Sequence, residues 1–135
     1  MIWETTISYH DMVDGKEKTK RVKYVIDHQE AFGEVESILH NNFEHLSDFE
    51  VLAIKKSKAK EIANVKHYED ERIYEATLRD IFITEDGDEK PINYKVLLFA
   101  KNFDKANDFI SEYIKQGYDL TLVTLKETSF VDILV

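Results

Sequence analysis

The sequence contains no cysteine, one proline, four scattered glycines and no long apolar run. Each shortage removes a class of protein. Without cysteine there is no thiol nucleophile, no disulfide framework and no cysteine-ligated zinc. Glycines that stand singly cannot build a glycine-rich phosphate loop. No apolar stretch approaches the roughly 20 residues that a membrane-spanning helix needs. The opening Met1-Ile2-Trp3-Glu4-Thr5-Thr6 has neither the basic start nor the apolar run of a signal peptide. Positive charge is also scarce, with 18 basic residues against 27 acidic ones and a net charge of −9. A field of that sign repels polyanions and suits a basic protein partner. A cytoplasmic protein is expected.

A chain of 135 residues with 43% hydrophobic content is long and apolar enough to bury a core without staples. Seven Tyr, eight Phe and one Trp favour packed strands. The chain reads as one domain over residues 1–135 that contains an internal repeat. Trp3-Glu4-Thr5-Thr6-Ile7 answers to Tyr74-Glu75-Ala76-Thr77-Leu78, 71 residues on. Asp14-Gly15 answers to Asp86-Gly87 at 72, and Ala31 to Ala106 at 75. Lys55-x-Ser57-x-x-x-Glu61-Ile62 matches Lys126-x-Thr128-x-x-x-Asp132-Ile133, again at 71. The first repeat covers about 1–62, a connector about 63–72, and the second repeat about 73–135.

Each repeat reads as strand–strand–helix–strand. Alternation puts Trp3, Thr5, Ile7 and Tyr9 on one face of a first strand, about 3–10. Val22, Tyr24 and Ile26 share a face of the second, about 19–26. Asp14-Gly15 supplies the turn between them. Phe32, Val35, Leu39 and Phe43 recur at helical spacing within about 29–44, and a third strand follows at about 49–55. In the second repeat the strands are about 73–84, 92–100 and 120–125, with Pro91 at a strand start. The helix is about 104–116, with Asn102 or Asp104 as its cap and Gly117 in the left-handed position past its end. Ala106, Phe109, Ile110, Tyr113 and Ile114 form its apolar face. The strand–helix–strand link runs parallel to the strand it left, which gives the order 2-1-3 in each repeat. The expected fold is α+β: tandem repeats forming an antiparallel-rich sheet with two helices on one face, with spacing leaving open one six-stranded sheet or two interlocked ones.

The repeated W/Y-E-x-T start, hairpin, helix and K-x-[ST]-x-x-x-[DE]-I ending resemble domain-of-unknown-function family 4494, of Bacteroides-type bacteria and their crAss-like phages. The resemblance covers nearly the whole chain. It departs from a strict repeat in one place: the first copy lacks about three residues between second strand and helix, where the second has Lys101-Asn102-Phe103. The family has no established activity, so the resemblance carries over no functional residue. It implies a bacterial or phage cytoplasmic origin.

No catalytic constellation is evident. Ser57/Glu61 and Thr128/Asp132 lack a nearby histidine to activate a hydroxyl, and read as local turns. The acidic run from Glu85 to Glu89 lacks the ligand spacing of a calcium loop and reads as a hairpin tip. The histidines at 10, 28, 40, 45 and 67 are scattered, and His40 and His45 are five apart rather than four. No metal ligand or cofactor site is assigned. The expected function is therefore a non-enzymatic interaction with a protein partner. The alternative is single-stranded nucleic-acid binding, with Lys55, Lys56, Lys58 and Lys60 meeting phosphates and Trp3 and Tyr74 stacking on bases. The bland alternatives are a solvated strand end for the lysines and a core role for the strand aromatics.

Overall fold

The computed structural model describes residues 1–117 and 120–135. Among these residues, eight strands and two helices follow one another in the same order twice. The first half contains β1 (Trp3–Val13), β2 (Lys16–Ile26), α1 (Phe32–Phe43), β3 (Glu50–Lys56) and β4 (Ala59–Ile62). The second contains β5 (Arg72–Ile83), β6 (Glu89–Ala100), α2 (Phe103–Ile114), β7 (Thr121–Glu127) and β8 (Phe130–Leu134). The protein is α+β, with two mixed sheets.

The strands form two four-stranded sheets, ordered β3-β1-β2-β8 and β4-β6-β5-β7, rather than one sheet carrying both helices. The expected 2-1-3 order is present in each. The short fourth strands, β4 and β8, make the difference. β8 pairs in parallel with β2, and β4 pairs in parallel with β6, so each half ends in the sheet of the other. The compact units accordingly consist of residues 1–57 with 129–135, and residues 58–128.

Each unit has its own helix-covered core. In the first, Trp3, Ile7 and Ile26 pack with Val35 and Leu39 of α1. In the second, Tyr74, Leu78, Val96 and Leu98 pack with Ala106 and Ile110 of α2. These are the alternating strand positions and helical stripe that periodicity specifies. Phe32 departs from that stripe. It is the first residue of α1 and 51% exposed, as is Phe103 at the start of α2.

The local signals that start and stop these elements differ between the halves. Asp14 and Gly15 both have positive φ, 52° and 77°, as a tight hairpin turn requires. Asn102 caps α2 by accepting the Lys105 N–H at 2.9 Å. Ala31 cannot do this for α1, so the Glu34 carboxylate reaches back to the N–H groups of Glu30 and Ala31. Ala31 and Ala106 are therefore not equivalent, since Ala31 precedes its helix and Ala106 lies inside its own. The link from second strand to helix spans 27–31 in the first half and 101–102 in the second, so the shorter link is the second one. Gly117 is not left-handed. A Cβ there would collide with the Leu120 side chain, so close approach is what calls for glycine. Pro91 lies inside β6, opposite Ile81, where β4 no longer flanks the strand and no N–H is needed.

Candidate functional site

The repeated motifs have structural roles. Glu4 faces Lys55 across β1 and β3, and Glu75 faces Lys126 across β5 and β7. The ion-pair distances are 3.9 Å and 3.6 Å, and Lys95 approaches Glu75 at 3.2 Å. Such cross-strand pairs help hold register. At the end of β7, Thr128 donates through both its hydroxyl and its N–H to the Ile73 carbonyl, at 2.8 and 3.0 Å. Ser57 N–H donates to the Ile2 carbonyl at the matching point. The hydroxyl residues thus end one strand and direct the chain into the next.

The residues expected to meet nucleic acid are placed differently from that reading. Trp3 and Tyr74 are core residues, 5% and 3% exposed, and neither ring offers a free face for a base. The Trp3 indole N–H donates to the Gln29 carbonyl at 2.8 Å. Burial pushes the Tyr74 phenol above its ordinary pKa; the Glu127 charge adds to this and Arg72 opposes it. Tyr9, Tyr24 and Tyr94 are half-buried and pack against the cores. Lys55 and Lys56 belong to the first unit and Lys58 and Lys60 to the second. Lys56 stands 5.9 Å from the Trp3 ring centroid and Lys60 4.6 Å from that of Tyr94.

Two surface features lie where the hairpins outrun their neighbours. In the second unit β7 reaches β5 only as far as Arg79, and β4 reaches β6 only over 95–97. Beyond those limits β5 and β6 continue as a two-stranded ribbon that, among the described residues, pairs with no other strand. It carries Ile81, Phe82, Ile83 and Ile92, between 41% and 65% exposed. Its tip is the acidic Glu85-Asp86-Gly87-Asp88-Glu89, closed by hydrogen bonds between Thr84 and Asp88.

In the first unit the sheet bears a recess of about 430 Å³ instead. Ser8, His10, Thr19, Arg21, Asp48 and Glu50 line it. Pairing explains the assembly: Ser8 is opposite both Arg21 and Glu50, and His10 is opposite Thr19. Leu52, left without a partner where the β1–β3 register shifts between Thr6 and Ile7, closes one wall. The His10 N–H donates to the Ser47 carbonyl at 2.7 Å, which draws the loop before β3 alongside. The carboxylates of Glu17 and Asp48 each approach His10 Nδ1 at 2.8 Å. Sequence spacing missed this cluster because its members are joined by pairing. The signal was the Asp14-Gly15 turn, whose register sets Glu17 opposite Met12 and Thr19 opposite His10.

Two four-stranded mixed sheets, each with one helix and each taking its fourth strand from the other half of the chain, define an α+β protein. The chain matches the family described as Domain of unknown function (DUF4494) over residues 1–135, and it belongs to that family. No curated protein and no solved structure matches it. Among the described residues no helix is long and apolar enough to cross a membrane.

Proposed function

We propose that the protein is a non-enzymatic binding module that holds a protein partner on the projecting end of the β5–β6 ribbon. The observation that carries this reading is the concentration of Ile81, Phe82, Ile83 and Ile92 on strand segments that no other strand flanks. A two-stranded ribbon is marginal in water by itself, and clustered exposed apolar side chains are what a partner would cover. The acidic tip and the net charge of −9 favour a partner with basic residues around an apolar patch. The resemblance that suggested a bacterial or phage cytoplasm supplies the setting. Nucleic-acid binding draws less support, because Trp3 and Tyr74 are buried and Lys55 faces Glu4.

A photoreactive amino acid placed at position 82, and separately at position 60, tests the reading in cells that encode the protein. Position 82 is expected to cross-link to a protein, with a yield that falls as salt rises. Cross-links to nucleic acid from position 60, with none to protein from position 82, would overturn it.

A further inference from the structure

We infer that His10, Glu17 and Asp48 form a binding site for a first-row divalent metal ion, of the zinc class, at the wall of the first-unit recess. The donor atoms are one imidazole Nδ1 and two carboxylate oxygens, all within 4.8 Å of one another. Zinc bonds nitrogen and oxygen at about 2.0–2.2 Å, so small rotations of the exposed Glu17 and Asp48 side chains close the three donors on one point. A set of one imidazole and two carboxylates suits zinc, manganese or cobalt better than a soft ion, which would seek sulfur.

A second observation, independent of the carboxylates, points into the same space. Ser8 lies in the recess wall and is 7% exposed, yet its hydroxyl has no hydrogen-bond partner among the described residues. It is not a sealed atom either, since no buried side-chain oxygen there lacks a partner. A hydroxyl left open toward the recess is placed to bond a metal-bound water or a small anion. Three protein donors leave at least one coordination position for such a ligand. The Thr19 hydroxyl and the Arg21 guanidinium line the same recess and complete a polar surround. The second half has nothing comparable at its matching rungs, where Ile81 faces Pro91 and Arg79 faces Asn93.

Calorimetric titration of the metal-free full chain with zinc chloride tests the inference, with the cobalt(II) visible absorption as a second readout. One ion per chain is expected, with cobalt bands characteristic of protein ligands. His10→Ala and Asp48→Asn are each expected to weaken binding by more than the roughly 10–100-fold that loss of an outer-shell partner costs. Glu17→Gln, on an exposed strand position, gives the same loss without endangering the fold. His45→Ala and His67→Ala are expected to leave binding unchanged. Absence of one-to-one binding, or binding that survives His10→Ala and Glu17→Gln, would overturn the site.

Discussion

The outer rungs of the two hairpins occupy matching positions and carry opposite chemistry. The register shift at Thr6/Ile7 recurs at Thr77/Leu78, 71 residues on, with Leu52 and Val123 as the residues left unpaired. Counting outward from it, Ser8–Arg21, His10–Thr19 and Met12–Glu17 correspond to Arg79–Asn93, Ile81–Pro91 and Ile83–Glu89. The first set is polar and forms a recess with ligating side chains. The second sets the apolar Ile81, Pro91 and Ile83 among Arg79, Asn93 and Glu89, and stands exposed. Inward of the register shift the halves agree: Glu4–Lys55 matches Glu75–Lys126, and Leu39 on α1 matches Ile110 on α2. Packing constrains the inner rungs. Beyond Ser8 and Arg79 the outer ones have no third strand to satisfy, so their side chains are free to specialise, and function is read there.

Truncating the helix stripes tests the shared part and carries the largest expected effect. Leu39→Ala and Ile110→Ala each remove a side chain that is fully buried, and each should cost about 2–5 kcal/mol in chemical denaturation. Losses below about 0.5 kcal/mol would show that the faces are not equivalent core.

The helix caps sharpen the comparison at the next scale. Asn102→Ala should destabilise by about 1 kcal/mol through loss of the bond to Lys105. Ala31→Asn should stabilise by up to about 1 kcal/mol, because Glu34 accepts only from the Glu30 and Ala31 N–H groups and no side chain caps the first-turn donors of α1. No gain at position 31 would show that the first-turn N–H groups of α1 need no side-chain cap.

The smallest effect concerns one phenol in each half. Burial raises the pKa of Tyr24, with Tyr9 and Asp132 adding to it, and burial raises that of Tyr94, with Asp80 and Glu61 adding. The native state therefore favours the neutral phenol beyond the ordinary value of about 10. The associated stability is fully present below that pH and is lost as pH rises through the native-state values. Tyr24→Phe and Tyr94→Phe should each flatten the alkaline fall in stability followed by circular dichroism. An unchanged alkaline limb in both variants would show that these groups titrate freely.

Much of the fold was legible because its causes are local. Alternation in β1 and β2, the four-residue spacing of Val35, Leu39 and Phe43, and the Asp14-Gly15 turn all act within a few residues. The Asn102 cap was legible for the same reason. Several local signals misled. Phe32 fits the helical spacing but sits in the first turn, off the packed stripe. Ala31 resembles Ala106 by letter alone. Pro91 reads as a strand boundary, although a ribbon edge without a neighbour tolerates it.

By itself the sequence determined the α+β class, the twofold element order, the helix-side cores and the exclusion of thiol chemistry, since composition and short-range periodicity carry these. Only the tertiary structure decided that β4 and β8, four and five residues long, would each join the other half's sheet. Segments so short have too little periodicity to announce a strand, and their partners are chosen by whichever sheet edge lies open. The same holds for His10, Glu17 and Asp48. Hairpin register and a bond from His10 to the Ser47 carbonyl bring them together, and linear spacing records neither.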